Sequence, residues 1–374
     1  MYRKQIQKII KDLDKKIVFI VGPRQVGKTW LAKEIGKKYK KTVYLNYDRF
    51  EDREIMKNEQ WLETTELLIL DELHKMSGWK NFLKGVYDTK DENMKILVTG
   101  SARLEAFRQT GDSLAGRFYI HRLMPFSIAE LANEKYADDL DRFMERGGFP
   151  EPFLAEEEIE ANRWRNQYID GLIRNDILDF EKIHDFKAIQ MVFELLRRKV
   201  GSPISYKSIA TDVGISPTTV IKYINIFEAL FIIFKVTPYS RNIARSILKE
   251  PKIYFYDNGL VMGDDGVKLE NFVGISLLKH ILATNDLSGE FNQLKYLRTK
   301  DGKEIDFAVV GSNNVINEIV EVKLSDGQLS KNLKYFSIKY SLPAVQIVKD
   351  LKREKQVGNI KIVKVINYLK DLFL

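Results

Sequence analysis

Apolar residues in the first third of the chain fall in short runs bounded by polar turns: Ile17–Val21, Val43–Leu45, Leu67–Leu70, Ile96–Thr99 and Phe118–Ile120. Runs of this kind read as strands buried on both faces, and the amphipathic stretches between them as covering helices. The alternation predicts an α/β domain with a largely parallel sheet over residues 1–125. Beyond it the strand-like runs vanish. Residues 128–136, 138–146 and 156–180 read as helices, broken at Gly147-Gly148-Phe149-Pro150, and make 126–186 a helical lid. Three more helices are predicted between Ala188 and Leu230, with turns near Gly201–Pro203 and Gly214, then short strands to 257. After Asp257-Asn258-Gly259 the order is helix, hairpin, strand and helix, so the expected divisions are 1–125, 126–186, 187–257 and 258–374.

Chemistry enters at the end of the first apolar run. Gly22-Pro23-Arg24-Gln25-Val26-Gly27-Lys28-Thr29 fits G-x-x-x-x-G-K-[ST] in full. Glycines let backbone N–H groups wrap phosphates without Cβ clashes. Lys28 reaches the β and γ oxygens in such a loop, and Thr29 ligates Mg²⁺. The helix that follows turns its positive end to the anion. A second acid belongs at the end of a neighbouring strand, and Leu67-Leu68-Ile69-Leu70-Asp71-Glu72 supplies it. Asp71 is expected to hold the metal through water, and Glu72 to polarise an attacking water. Thr99 or Ser101, closing the run Ile96–Thr99, is a candidate to orient water or sense the γ-phosphate; a capped strand end explains either equally well. Arg117, before the run Phe118–Ile120, is a candidate finger for a neighbour's nucleotide, with Arg24 and Arg103 competing for that role.

The middle of the chain carries a helix, the Gly214 turn, and a second helix opened by Ser216 and Pro217, which suit an N-cap and a first helical position. Val220, Ile224, Phe227 and Leu230 or Phe231 line one face of that second helix, and the strands after it are candidate wings. As a DNA reader it would present Thr218, Thr219, Lys222 and Tyr223. As a packing module it would need none of them.

Near the C-terminus, Asp301-Gly302 predicts a hairpin with a type I′ turn. Asp306 lies on the returning strand, and Val315–Val322 forms the next, closing on Glu321-Val322-Lys323. Strand alternation puts Glu321 and Lys323 on one face. Glu270 flanks the buried stripe of an upstream helix. Glu270, Asp306 and Glu321 are thereby candidate ligands of one Mg²⁺, with Lys323 placed to position or activate a water. Solvated charges on an edge strand account for the same residues.

Composition sharpens this picture in three ways. The chain of 374 residues has no Cys, which excludes disulfides, thiolate metal sites and a Cys nucleophile. No apolar run nears the ~20 residues of a membrane span, so no membrane partner and a cytoplasmic setting are expected. The net charge of +8 is modest for this length, yet residues 187–250 hold ten Lys+Arg against four Asp+Glu, which concentrates positive charge around the helix-turn-helix.

The motifs Gly22–Thr29, Leu67–Glu72, Thr99–Ser101 and Ser113–Arg117 resemble those of prokaryotic AAA-type ATPases that carry a winged helix and a C-terminal domain of unknown function. Gly147–Pro150, Lys252–Asp257 and the Asp306…Glu321-Val322-Lys323 arrangement fit the same pattern. The resemblance spans nearly the whole chain. It implies a P-loop parallel-sheet core, a helical lid, a winged helix and a C-terminal α/β domain similar to the PD-(D/E)xK nuclease fold. It implies an ATPase site at Lys28, Thr29, Asp71 and Glu72 and a nuclease-like site at Glu270, Asp306, Glu321 and Lys323. The two motif sets on one chain lead to the expectation of ATP and Mg²⁺ as cofactors and DNA as partner, and Arg117 as a finger on a neighbour's nucleotide predicts a homo-oligomer. The alternative expectation is a nucleotide-gated DNA- or protein-binding switch whose C-terminal fold is inactive.

Overall fold

The computed structural model describes residues 3–100, 114–131, 134–136, 138–172, 185–240, 250–325 and 328–374. The chain divides into two compact units, the first ending at Met124 and the second beginning at Pro125.

The first unit begins with helix α1 (Ile6–Leu13) and a five-stranded sheet follows: β1 (Ile17–Val21), β2 (Thr42–Asn46), β3 (Leu67–Asp71), β4 (Lys95–Thr99) and β5 (Phe118–Arg122). Helices α2 (Lys28–Gly36), α3 (Phe50–Lys57) and α4 (Trp79–Thr89) are the described crossovers. Every pairing is parallel, in the order β2-β3-β4-β1-β5. Each strand foreseen from its apolar run is present to within a residue or two. All five residues of β1 and of β3 are buried, as a sheet covered on both faces requires. This order places one strand, β4, between β1 and β3, so the loop after β1 and the acids after β3 face each other across the carboxyl end of β4.

The second unit opens with α5 (Leu140–Arg146), α6 (Pro150–Leu154) and α7 (Glu158–Gly171). Residues 128–131 form only a single turn, closed by the Leu131 N–H to the Ser127 carbonyl, and not the predicted helix. Ile128, Ala129, Glu130 and Leu131 are all buried, so their apolar spacing reflects enclosure on every side and not one helix face. Next come α8 (Phe186–Arg197), α9 (Tyr206–Val213) and α10 (Pro217–Ala229), the three helices expected from Ala188 to Leu230. Ser216 caps α10, its Oγ accepting from the Thr219 N–H at 3.1 Å. Tyr223, expected on the exposed face, is buried. It lies three residues after Val220 and four before Phe227, which puts it on the apolar stripe. Thr218, Ile221, Lys222 and Asn225 face outward instead.

Strands β6 (Ile233–Pro238) and β7 (Lys252–Phe255) pair antiparallel after these helices. Helix α11 (Asp265–Ser288) leads to β8 (Gln293–Arg298), β9 (Glu304–Val310) and β10 (Ile316–Ser325), then α12 (Lys331–Tyr340), β11 (Ala344–Asp350), β12 (Lys355–Val357), β13 (Ile360–Lys364) and α13 (Val365–Lys370). The sheet is mixed, in the order β12-β13-β11-β10-β9-β8-β6-β7. It runs without a break across position 258, because Thr237 and Pro238 of β6 pair in parallel with Lys295 and Tyr296 of β8. The β8–β9 hairpin stands where Asp301-Gly302 predicted it, with a different turn. Only Gly302 has positive φ (+83°), and its N–H bonds back to the Thr299 carbonyl. The connection is therefore a three-residue loop ending on a left-handed Gly, where a type I′ turn would need positive φ at Asp301 too. Among the described residues, no helix is long and apolar enough to cross a membrane.

Candidate functional site

The loop after β1 is shaped by a close approach. Gly22 has φ +149°, and a Cβ there would lie 2.1 Å from the Leu123 carbonyl oxygen, because the chain beyond β5 hugs β1 through the Leu123 N–H to Val21 oxygen bond of 2.8 Å. Only glycine fits. From below, the buried Arg3 donates to the Val26 carbonyl at 2.8 Å and to the Met124 carbonyl at 3.2 Å, tying the loop to the N-terminal segment. The Lys28 ammonium lies on the Gly22 carbonyl at 3.0 Å and the Pro23 carbonyl at 2.5 Å, across the mouth of the loop.

Thr29 and Asp71 meet across the sheet: the Thr29 hydroxyl donates to Asp71 Oδ2 at 2.9 Å. The Tyr44 hydroxyl donates to the same oxygen at 2.7 Å, and the buried Thr99 hydroxyl donates to Oδ1. Among the described residues, three neutral hydroxyls thus hold the Asp71 carboxylate, which is 2% exposed. Glu72 follows in a left-handed backbone conformation (φ +56°), which disfavours a side chain with a Cβ by about 1–2 kcal/mol. Burial raises the Glu72 pKa, with the nearby Lys75 ammonium (3.5 Å) pulling the other way. A raised carboxyl is a stronger proton acceptor once ionised. All donors here are hard oxygens, a hydroxyl and a carboxylate, which fits Mg²⁺.

The buried Thr99 hydroxyl is engaged by Asp71; Ser101 lies outside the described residues. Arg117 sits at the opposite end of the sheet. Phe118 pairs with Ile17 and Arg122 with Val21, so Arg117 is separated from the loop by the length of β1, about 16 Å at roughly 3.3 Å per residue. Its guanidinium pairs with Asp88 at 3.0 Å.

The second candidate site lies in the C-terminal sheet, where three strands each offer two side chains two positions apart: Lys252 and Tyr254 on β7, Glu304 and Asp306 on β9, Glu321 and Lys323 on β10. Pairing order puts two strands, β8 and β6, between β9 and β7, yet the Tyr254 and Phe307 rings are 5.3 Å apart, so β7 packs onto β9. The Lys252 ammonium, 1% exposed, lies 2.8 Å from Glu304, 3.3 Å from Glu270 and 3.9 Å from Asp306. The Tyr254 hydroxyl donates to Glu270 at 2.6 Å. Asp306 accepts the Val322 N–H at 2.8 Å, and Lys323 pairs with Glu321 at 2.8 Å from the rim. Burial first, and then the charge of Asp306, push both Glu270 and Glu321 up to about 7. Burial likewise raises Asp306, against the pull of Lys252. Glu270, Asp306, Glu321 and Lys323 do come together. They were expected as joint ligands of one ion, but a lysine ammonium stands among them, and among the described residues no group of three or more His, Cys, Asp or Glu is arranged to hold a metal.

Comparison with known proteins now bears on the first site. Residues 14–132 match the family described as AAA domain. The chain has an ATPase-like P-loop domain of the AAA type. Residues 137–268 and 265–368 match two domains of unknown function, DUF8612 and DUF4143. Similar chains are the uncharacterized protein MJ1544 of Methanocaldococcus jannaschii (24% identity over 95% of this chain and 83% of that one), the uncharacterized protein Rv2008c of Mycobacterium tuberculosis (25%, 78% and 67%) and an uncharacterized protein of Haemophilus influenzae (23%, 97% and 97%). Among solved structures, the Walker-type ATPase PABY2304 of Pyrococcus abyssi is similar with a TM-score of 0.45 at 13% identity, covering 71% of this chain and 94% of that one.

Arg3, Tyr44, Lys252, Tyr254 and Glu304 escaped the sequence reading as site residues. Arg3 and Tyr44 carry no local signal, since an Arg near the N-terminus and a Tyr on a strand are ordinary. Glu304 was hidden among the alternating charges of the hairpin. Lys252 did leave one: a charged residue opening an otherwise apolar strand, Lys252-Ile253-Tyr254-Phe255.

Proposed function

We propose that the chain binds ATP at Gly22–Thr29 and hydrolyses it with Mg²⁺. The observation that carries this reading is the 2.9 Å bond joining Thr29 of the loop to Asp71 of β3, with Glu72 one residue further on. Backbone N–H groups of the loop and Lys28 would take the β- and γ-phosphates once the ammonium leaves the Gly22 and Pro23 carbonyls. Thr29 and Asp71 would hold the ion, which when bound neutralises charge on the β- and γ-oxygens. Glu72 would orient a water and accept its proton as the oxygen bonds to the γ-phosphorus and the bond to the bridging oxygen breaks. Tyr44 and Thr99 would keep Asp71 in place. Glu72→Gln should retain nucleotide binding and slow phosphate release by about 10²–10⁴-fold, and Lys28→Ala should weaken both. Wild-type turnover in Glu72→Gln would contradict the assignment.

The remaining parts of the proposal concern partners. Arg117 is out of reach of its own loop and would serve a neighbouring copy in a homo-oligomer. Helices α9 and α10 would form the helix-turn-helix of a winged helix, with the exposed Thr218 and Lys222 toward DNA. The C-terminal sheet would be the PD-(D/E)xK-like fold. Metal-dependent DNA cleavage at Asp306 and Glu321 competes there with a second reading: a nucleotide-gated DNA- or protein-binding switch with a catalytically silent C-terminal fold. The seat of Lys252 among the carboxylates favours the switch. Cleavage of duplex, single-stranded or branched DNA with ATP and Mg²⁺, lost in Asp306→Ala, would overturn it.

A further inference from the structure

The C-terminal carboxylates raise a question of charge. Four acids, Glu270, Glu304, Asp306 and Glu321, are gathered around two lysines of different standing. Lys323 stands on the rim with nearly half its side chain exposed. Lys252 is enclosed, and its ammonium is within 3.3 Å of two carboxylates and 3.9 Å of a third. An ammonium so placed does what a divalent ion does in an oxygen-ligand site: it neutralises converging carboxylates that come from different elements, here β9 and α11. One further group remains unsatisfied beside them. Glu321 is only 5% exposed, and its Oε2 is buried with no hydrogen-bond partner among the described residues. A buried carboxylate oxygen with no donor is costly unless something cationic or protic faces it.

The position of Lys252 is not accidental to its own strand. The turn before α9 grips β7 on both sides of the residue, through the Gly201 N–H to the Ile253 carbonyl (3.2 Å) and the Ile204 N–H to the Pro251 carbonyl (3.0 Å). Tyr296 adds a bond from its hydroxyl to the Glu250 carbonyl at 2.8 Å, with its ring 5.5 Å from the Lys252 ammonium. Two backbone bonds and one tyrosine hydroxyl thus fix the strand around Lys252.

We propose that Lys252 is a built-in cation that stands where a divalent cation would otherwise have to neutralise Glu270, Glu304 and Asp306, and so keeps metal out of the C-terminal sheet. The proposal deepens the switch reading above and is independent of ATP hydrolysis, whose readout is phosphate release. The test is Mn²⁺ binding to the full chain without nucleotide, followed by calorimetry and by the electron paramagnetic resonance of free Mn²⁺. Wild-type protein should bind no Mn²⁺ that depends on Asp306, so Asp306→Asn should leave the isotherm unchanged. Lys252→Met should gain a site of roughly tenfold or greater occupancy at 0.1 mM Mn²⁺, lost again in the Lys252→Met, Asp306→Asn double variant. Removing the ammonium uncovers buried charge, so Lys252→Met is expected to unfold more readily in chelator and to recover its thermal midpoint with Mn²⁺ but not with Na⁺ at equal ionic strength. Three results would overturn the proposal: an Asp306-dependent Mn²⁺ site in wild type, a folded Lys252→Met that gains none, or a Lys252→Met chain that stays unfolded with Mn²⁺ present.

Discussion

The two polar centres of this chain are built from the same kinds of residue and neutralised in opposite ways. At the loop, the buried Asp71 carboxylate is surrounded by hydroxyls of Thr29, Tyr44 and Thr99. These donors hold its direction without cancelling its charge, so the site keeps an attraction for an incoming cation. In the C-terminal sheet, the partly buried carboxylates of Glu270 and Asp306 are faced by the buried ammonium of Lys252. There the chain supplies its own cation. A cluster of acids is therefore not in itself a metal site; what surrounds each carboxylate decides whether it waits for an ion or already has one.

The largest expected effect separates the centres through activity. Asp71→Asn should reduce phosphate release by about 10²–10³-fold, as for loss of one preorganised group in a charge-stabilising site. Retention of wild-type turnover would remove Asp71 from the account. Next, Gly22→Ala forces a Cβ to within 2.1 Å of the Leu123 carbonyl. It should destabilise the first unit by about 1–3 kcal/mol, the usual range for overpacking, seen as a lower thermal midpoint together with weaker nucleotide binding; an unchanged midpoint would mean that the loop and the segment after β5 part easily.

A pH comparison addresses the second centre. The Glu321 carboxyl is raised to about 7 in the folded chain, above its ordinary value of 4.5. Between those values the folded state binds more protons than the unfolded one, so its stabilising contribution is complete below about 4.5 and is lost as pH rises through about 7. Glu321→Gln cannot lose a proton. Its stability relative to wild type should therefore rise between pH 5 and pH 7 and level off above, as read from denaturant midpoints. A difference independent of pH would contradict a raised, buried carboxyl. The smallest effect belongs to Tyr44→Phe. It removes one of the three described donors to Asp71 and, at about 1.5 kcal/mol, the low end for a hydrogen bond to a charged group, should raise the Mg²⁺ needed for half-maximal phosphate release roughly tenfold. A lower maximal rate at the same Mg²⁺ dependence would place Tyr44 in the chemistry and not in positioning.

The contrast also explains what could be read from the chain in advance. The five parallel strands were legible because each is an uninterrupted apolar run between turns, and both motif halves of the loop site lie at the ends of such runs. Local order carries that site: Gly22–Thr29 and Asp71-Glu72 are contiguous stretches. The C-terminal centre draws Lys252, Glu270, Glu304, Asp306 and Glu321 from four elements, and no spacing rule reports that β7 packs onto β9. Glu270, Asp306 and Glu321 were found through strand and helix periodicity, while the lysine between them was not. Tyr223 was misplaced for a related reason. Its hydroxyl marked it as a contact residue, but its position between Val220 and Phe227 puts the ring in the core. The segment 128–131 erred the other way, where apolar spacing passed for a helix in a buried turn.

The central claim is that the chain takes one divalent cation, at the loop and with nucleotide, and none in the C-terminal sheet. Mn²⁺ stoichiometry with a non-hydrolysable ATP analogue measures this directly. One Mn²⁺ per chain is expected, kept in Asp306→Asn and lost in Asp71→Asn. Two Mn²⁺ per chain, one of them lost in Asp306→Asn, would contradict it.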